Sequence, residues 1–186
     1  DAGVEGIRDR DSSGSIGLLT DEPDEPYARP PLSKDLWKDG DVDDIWCQTP
    51  SKGVEVFGER RAVSLDVSKK HVLDDRGETY RYEKLLLATG GSPNRLAESC
   101  AGVIYYRTLA DYRRLRELCA QHNHFIVVGG SFIGAELAAA LALQEKHVTM
   151  VFPEAGIGAT VFPDDLSDAV TRLYRKRGVD VQPGSS

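Results

Sequence analysis

Apolar residues occur along the chain in short runs or at helical spacing, separated by polar loops rich in glycine and proline. Residues 125–128 form an apolar, partly β-branched run that is typical of a buried strand. Gly129, Gly130 and Gly134 follow this run. Residues 135–141 are rich in alanine and leucine, which favour a helix. The pattern therefore predicts a strand, a glycine turn and a helix.

The N-terminal region predicts part of a second unit of the same kind. Residues 1–10 place Val4 and Ile7 at helical spacing, as at the end of a helix. Residues 15–19 predict a short buried strand. Since no glycine loop precedes this helix, we expect that loop to lie upstream of Asp1, and we expect the chain to be truncated at both ends.

The segment before the first hairpin is irregular. Residues 21–31 are rich in acidic residues and proline, which predicts a stiff loop. Ser33 is expected to cap a short helix over residues 34–37. Residues 54–65 favour one or two strands, and a turn at residues 75–77 predicts a hairpin within residues 67–82.

The remaining pattern predicts alternating strands and helices. Residues 85–88 are expected to form a buried strand, and a crossover with a domain boundary near residue 100 is expected over residues 93–102. Further elements are predicted as follows: an amphipathic helix at 109–119, a strand at 147–152, a helix at 166–177 and a strand beginning at 179–181. The fold class is therefore α/β with Rossmann-like units.

Composition excludes several classes of function. The net charge of −7 argues against a general nucleic-acid binder. Cys47, Cys100 and Cys119 are scattered without a C-x-x-C pair, so neither a redox dithiol nor a zinc site is indicated. No apolar run approaches the ~18 residues of a membrane span. His122 and His124 lack a third ligand type nearby, so no metal site is predicted.

The glycine turn is close to the dinucleotide fingerprint G-x-G-x-x-G, with Gly129, Ser131 and Gly134 at the three positions. Such glycines let the backbone approach a pyrophosphate at the helix N-terminus. The alternative is a tight turn in a Rossmann-like fold that binds something else. Glu154 follows the next strand and either bonds a ribose or is an exposed loop carboxylate. An acid without an adjacent arginine favours NAD over NADP.

Other polar residues have two interpretations each. Arg29 and Lys34 either hold a pyrophosphate or flavin by charge-assisted hydrogen bonds, or form a solvated basic pair. Thr89 and Gly90 either let the backbone approach a ligand or simply make a turn. Glu136 is either functional, because it lies just past the glycine turn, or a solvated helix carboxylate.

Four stretches together resemble a known family. They are PYARPPLSK (26–34), YEKLLLATGG (82–91), GGSFIGAELA (129–138) and VTMVFPE (148–154). They resemble the FAD/NAD(P)H-dependent pyridine nucleotide-disulfide oxidoreductase superfamily, with the apoptosis-inducing factor branch nearest and the ferredoxin reductases close. The resemblance implies a partial FAD-binding domain at residues 1–100 and the N-terminal half of an NAD-binding domain at residues 101–186.

The resemblance also implies cofactor contacts. For FAD these are Asp21 at a ribose, the basic pair Arg29 and Lys34, Val63 beside the adenine, Thr89 and Gly90 of the ATGG stretch, and Arg107 reaching the flavin from the NAD domain. For NADH these are Gly129, Gly130, Ser131, Phe132, Ile133 and Gly134 at the phosphates and Glu154 at the ribose. Lys34 and Glu136 would form an ion pair against the isoalloxazine ring and are the expected catalytic residues.

The implied function is hydride transfer from NADH to the flavin, followed by electron transfer to an acceptor. A quinone, oxygen and a ferredoxin remain open as acceptors, and a homodimer is allowed. A ferredoxin or rubredoxin reductase is the second hypothesis, and a non-catalytic binding remnant is the third. The compartment is open between cytoplasm and mitochondrion, since a targeting segment would lie upstream of Asp1. The stretch RPPLSK stands where the disulfide-reductase branch places its cysteine pair, which disfavours a dithiol relay.

Overall fold

A computed structural model of the protein describes residues 1–96 and 102–185. The chain forms two compact units, each discontinuous in sequence. The first comprises Asp1–Ala28 and Val42–Ser92, and the second comprises Arg29–Asp41 and Pro93–Ser186. Half of the predicted crossover, and the boundary expected near residue 100, fall at residues 97–101, outside the described residues.

The first unit contains a helix and a parallel strand pair. Helix α1 (Ala2–Arg8) precedes strand β1 (Ile16–Leu19), which pairs in parallel with β2 (Val54–Phe57). The guanidinium of Arg8 donates to the carbonyl oxygens of Lys52 and Gly53, each at 2.8 Å. These bonds satisfy carbonyls in the loop before β2 and fasten α1 to that loop. The predicted helix end and first strand are thus confirmed.

An antiparallel sheet follows in the same unit, formed by β3 (Ala62–Asp66), β4 (His71–Asp74) and β5 (Thr79–Arg81). The predicted hairpin is confirmed as β4 and β5. Asp74 ends β4, and its carboxylate is fully buried. The donors to this carboxylate are the backbone N–H groups of Arg76 and Glu78, the hydroxyl of Tyr80 and the guanidinium of Arg60, at 2.8–3.0 Å.

The prediction of a buried strand at residues 85–88 is wrong. The segment has no strand structure, and Leu86 and Leu87 are 63% and 65% exposed. An apolar run becomes a buried strand only where neighbouring strands pair with it and helices cover it. Among the described residues, no strand pairs with this run, so its apolar side chains stay in contact with solvent.

The second unit carries a parallel βαβαβ arrangement. It contains helix α2 (Leu109–Gln121), β6 (His124–Val128), α3 (Phe132–Leu143), β7 (His147–Phe152), α4 (Asp164–Lys176) and β8 (Asp180–Pro183). The sheet order is β6-β7-β8, and both pairs are parallel. All six elements match predicted ones to within a few residues. The Rossmann-like fold class is therefore confirmed.

The core of the second unit lies between the sheet and α3. Leu137, Ala138 and Leu141 of α3 are buried, and so are Met150 and Phe152 of β7. Small alanines on the helix let it approach the sheet closely, while the larger side chains of β7 fill the space opposite. Within the described residues, no helix has the length and apolar character needed to cross a membrane.

The segment of residues 29–41 is held in the second unit by its aromatic residue. Trp37 is 1% exposed, and its ring meets that of Tyr112 edge-on at a centroid distance of 5.6 Å. The indole Nε1 donates to the carbonyl of Leu32 at 2.7 Å, and the Tyr112 hydroxyl donates to the carbonyl of Leu36 at 3.0 Å. These bonds satisfy buried carbonyls and fix the path of the segment.

Two further side chains complete this attachment. Gln144, just past α3, donates from Nε2 to the carbonyl of Trp37 at 3.0 Å. The hydroxyl of Tyr106 donates to the carbonyl of Leu32, and burial raises the pKa of Tyr106 well above its usual range. Tyr106 therefore stays a neutral donor. Residues 29–41 are thus fixed by side chains before α2, within α2 and just past α3.

Within this segment the predicted helix at residues 34–37 is only partly correct. The structure has two short 3-10 helices, Pro30–Ser33 and Asp35–Trp37. Lys34, rather than Ser33, is the N-terminal cap residue of the second, and no side chain caps it. The Ser33 hydroxyl is instead directed to a carboxylate on α3, described below.

Candidate functional site

The glycine turn between β6 and α3 depends on three glycines for different reasons. Gly129 has φ +117°, a region that residues with a side chain rarely adopt. A Cβ on Gly130 would lie 2.7–2.9 Å from the ring of Phe152, and one on Gly134 would lie 2.1 Å from the carbonyl oxygen of Gly129. The turn therefore allows strand and helix to pack closely, as the fingerprint predicts.

Ser131, which stands at the middle position of the fingerprint, is the N-cap residue of α3. Its backbone is extended, with φ −89° and ψ −170°, so glycine is not required there. Its side chain is exposed, and its hydroxyl makes no cap hydrogen bond. The first N–H groups of a helix lack intrahelical partners, and the first turn of α3, all of it described, contains no acidic residue. This helix end suits an anionic group.

The loop after β7 is tied to both α4 and the glycine turn. The hydroxyl of Ser167 donates to the carbonyl of Ile157 at 2.9 Å, and the Ile157 N–H donates to the hydroxyl of Thr171 at 2.9 Å. The N–H of Gly158 donates to the carbonyl of Gly130 at 2.7 Å. The loop is thus fixed beside the fingerprint by buried hydrogen bonds.

Glu154 lies in this fixed loop, two residues past the buried Phe152. It is half-buried, and its carbonyl accepts from the N–H of Gly184 at 3.1 Å. Phe132 and Ile133, at the start of α3, are 53% and 49% exposed. All the residues predicted for NADH therefore lie in the second unit. They comprise the acid Glu154, the N-terminus of α3 and the exposed apolar side chains of Phe132 and Ile133.

An ion pair joins the segment of residues 29–41 to α3. Lys34 Nζ lies 2.9 Å from Glu136 Oε1, and the two side chains are 47% and 27% exposed. The hydroxyl of Ser33 donates to the other carboxylate oxygen of Glu136 at 2.6 Å. Sequence analysis predicted the ion pair but missed the contact of Ser33, because the two residues are 103 positions apart.

The backbone beside Glu136 is also fixed. Tyr174 of α4 donates from its hydroxyl to the carbonyl of Ala135 at 3.0 Å. Burial, and then the nearby Glu136 carboxylate, raise the pKa of Tyr174. Tyr174 therefore remains protonated and able to donate at ordinary pH.

The two arginines predicted for the flavin also meet in the second unit. Arg29 Nη1 donates to the carbonyl of Arg107 at 3.0 Å. The N–H of Arg107 donates to the carboxylate of Asp111, which also belongs to the capping box of α2 with Thr108. The backbone of Arg107 is therefore fixed by the start of α2.

The remaining predicted residues belong to the first unit. Asp21 pairs with Arg61 at 3.1 Å, and both side chains are more than half exposed. Val63 lies on β3 and is 55% exposed. Thr89 and Gly90 are exposed, and Gly90 has φ +63°. These positions are open to solvent, and the structure places no hydrogen bond between them.

The histidines do not form a metal centre in the described parts of the chain. His124 and His147 are cross-strand neighbours in β6 and β7, and their rings stack at a centroid distance of 4.8 Å. Over residues 1–96 and 102–185, no group of three or more histidine, cysteine or acidic side chains is arranged to hold a metal ion.

Comparison with known proteins decides the family. The family model described as pyridine nucleotide-disulphide oxidoreductase matches residues 2–186. The chain belongs to this family. Membership implies FAD and a nicotinamide dinucleotide as cofactors and an oxidoreductase as the class of protein.

Several relatives match nearly all of the chain. Apoptosis-inducing factor 1, mitochondrial, from Dictyostelium discoideum is 33% identical over 98% of the chain and 39% of the relative. Putidaredoxin reductase from Pseudomonas putida is 30% identical over 99% of the chain and 47% of the relative. A ferredoxin reductase structure from Rhodopseudomonas palustris superposes with a TM-score of 0.89 at 29% identity, over 97% of the chain and 46% of that structure. The chain thus spans less than half the length of these relatives.

The residues present fit the nicotinamide dinucleotide and one part of the flavin. A phosphate suits the N-terminus of α3, where Gly129 and Gly134 bring the backbone close and Ser131 is exposed. A ribose hydroxyl suits the carboxylate of Glu154. The half-exposed ammonium of Lys34, held by Glu136, offers a fixed cation to a flavin ring that gains negative charge on reduction.

Proposed function

We propose that the protein is a flavin-dependent NADH oxidoreductase that passes electrons on to a separate acceptor. The observation that carries this proposal is that α3 contributes to two parts of the site. Its N-terminus offers donors for a dinucleotide, and Glu136, about 6 Å further along the axis, holds the Lys34 ammonium. One rigid helix can thereby position both the nicotinamide nucleotide and a cation at the flavin.

The proposed nucleotide contacts are supported by the geometry of the second unit. The N–H groups at the start of α3 would bind the pyrophosphate, and Gly129, Gly130 and Gly134 permit its close approach. The Glu154 carboxylate would accept hydrogen bonds from the adenosine ribose. A 2′-phosphate there would be repelled by the same carboxylate, so NADH is the proposed substrate rather than NADPH.

The flavin contacts are proposed for each unit separately. In the second unit, Lys34 and Arg29 supply cations, and Arg107 supports Arg29 through its carbonyl. In the first unit, Asp21, Val63, Thr89 and Gly90 are proposed contacts on the strength of the family pattern. The bound flavin supplies the chemistry of accepting hydride, and the protein supplies orientation and charge.

The test uses full-length protein reconstituted with FAD under anaerobic conditions. NADH should bleach the flavin absorbance, and Lys34→Met should slow this bleaching by about tenfold, because a fixed charge near the reacting centre is lost. Lys38→Met is the matched control, since Lys38 is an exposed lysine in the same segment. Protein that retains no yellow FAD after free FAD has been removed would refute the enzyme function and favour the non-catalytic alternative.

A ferredoxin-type acceptor is the second candidate. It is favoured by the likeness to a putidaredoxin reductase over 99% of the chain and to a ferredoxin reductase structure at a TM-score of 0.89. Turnover with a ferredoxin or rubredoxin that greatly exceeds turnover with oxygen or a quinone would support it. Slow oxidation of the reduced flavin by every iron–sulfur acceptor would support the apoptosis-inducing factor type instead.

A further inference from the structure

Ser33 is a buried hydroxyl directed at the ion pair rather than at its own segment. It is 9% exposed, and its Oγ donates to Glu136 Oε2 at 2.6 Å. Lys34 Nζ lies 2.9 Å from Glu136 Oε1. Two neighbouring residues of one segment therefore hold the two oxygens of a single carboxylate on α3.

Such a double hold fixes the plane of the carboxylate. The terminal torsion of a glutamate is broad, so a single contact leaves the group free to turn. A lysine side chain is also flexible, because its ammonium is carried on a four-carbon stem, and the side chain of Lys34 is 47% exposed. A second, buried hydrogen bond to Glu136 therefore restricts the position of the Lys34 ammonium as well.

The backbone beside Ser33 and the backbone beside Glu136 are each held by hydrogen bonds that do not involve the ion pair. Ser33 lies next to Leu32, whose carbonyl accepts from the buried indole of Trp37 and from Tyr106. Glu136 follows Ala135, whose carbonyl accepts from Tyr174. Neither backbone can shift readily to restore a lost contact, so the Ser33 hydroxyl itself determines the carboxylate orientation.

We propose that Ser33 is a positioning residue of the flavin-reduction site, acting through Glu136 to hold the Lys34 ammonium in one place. This inference rests on the proposed function and deepens it. In this role Ser33 acts through Glu136 and not by contact with a cofactor of its own. Removing its hydroxyl should loosen Lys34 while leaving the nucleotide site at the start of α3 intact.

The first measurement needs no cofactor. Full-length apoprotein is labelled competitively with trace acetic anhydride, and the modification of each lysine is quantified by mass spectrometry. In Ser33→Ala, labelling of Lys34 should rise about threefold relative to Lys38, because a lysine amino group released from a hydrogen-bonded pair becomes more accessible to the reagent. Tyr112→Phe is the matched control: it also removes one buried hydroxyl bond to the same segment, at Leu36, but does not touch Glu136.

The second measurement uses protein loaded with FAD. Flavin reduction at saturating NADH should slow about tenfold in Ser33→Ala, equivalent to about 1.4 kcal/mol, with NADH affinity unchanged. Ser33→Thr, which keeps the hydroxyl, should recover most of the rate. Tyr112→Phe should reduce at the wild-type rate even if its unfolding midpoint falls as much as that of Ser33→Ala.

The outcomes separate the two proposals. Equal labelling of Lys34 in wild type and Ser33→Ala, or equal slowing in Ser33→Ala and Tyr112→Phe, would overturn the positioning role. Wild-type protein that binds FAD but is not reduced by NADH would overturn the proposed function and with it the flavin role of Ser33. The labelling result would then still show whether the hydroxyl holds the ion pair.

Discussion

Replacing Gly134 with alanine tests the packing of the glycine turn most directly. The added Cβ would lie 2.1 Å from the carbonyl oxygen of Gly129, more than 1 Å closer than the 3.4 Å at which ordinary contact begins. That carbonyl cannot move freely, because the Gly129 N–H donates to the carbonyl of Val151 at 2.9 Å. Backbone on both sides must therefore shift.

Two effects of opposite sign compete in this substitution. Alanine favours a helix over glycine by about 1 kcal/mol. Forcing an extra carbon into a close-packed site costs about 3 kcal/mol when rigid backbone must give way. We therefore expect Gly134→Ala to lower the free energy of unfolding of the second unit by about 2 kcal/mol.

The assay is urea unfolding followed by the fluorescence of Trp37, in a Trp46→Phe background so that the second unit alone is reported. Gly6→Ala is the matched control, because Gly6 also lies in a helix but has no atom within 4 Å of its added Cβ. This control should stabilise the first unit by up to about 1 kcal/mol, as followed by circular dichroism. Unchanged or raised stability in Gly134→Ala would refute the close packing derived for the turn.

Three other predictions follow from buried or charged groups. Burial raises the pKa of Asp74, but the hydrogen bonds it accepts outweigh burial and hold the pKa below its ordinary 3.8. The stability it contributes is therefore complete above that value and is lost as the pH falls through and below it. Asp74→Asn should lack this component of the acid transition, as measured by urea unfolding between about pH 5 and pH 2. A pH dependence identical to that of the wild type would contradict the assignment. Trp37→Ala should lower the free energy of unfolding by about 3–5 kcal/mol, since a fully buried indole is lost. Urea unfolding followed by circular dichroism measures this change. A loss below about 1 kcal/mol would show that Trp37 does not hold the segment of residues 29–41. Glu154→Gln should weaken NADH binding about tenfold by titration calorimetry while leaving NADPH binding unchanged or stronger. Equal losses for both nucleotides would remove Glu154 from the ribose site.

The elements that sequence analysis predicted well are those whose signals are local. At residues 124–143 the apolar run, the glycines and the alanine-rich stretch follow one another directly, so strand, turn and helix are all specified by near neighbours. The hairpin of β4 and β5 was predicted for the same reason, from a turn at residues 75–77 between apolar segments.

The features that sequence analysis predicted wrongly or did not predict depend on residues that are distant in sequence. Residues 85–88 have the composition of a buried strand, yet burial requires neighbouring strands that local composition does not supply. Ser33 has the residue type of a helix cap, but its hydroxyl donates to Glu136, which is 103 positions away. Nothing in the sequence near Ser33 indicates that partner. The close contact of Gly130 with Phe152 is likewise set by the pairing of β6 with β7.

The attachment of residues 29–41 has a consequence for synthesis of the protein. The segment leaves the ribosome long before Tyr112 of α2, which packs on Trp37, and Gln144 after α3, which bonds the Trp37 carbonyl. Until roughly 100 further residues have been made, Leu32, Leu36 and Trp37 have no finished site in the second unit to occupy. This stretch of nascent chain therefore lacks its native partners until Gln144 has been translated.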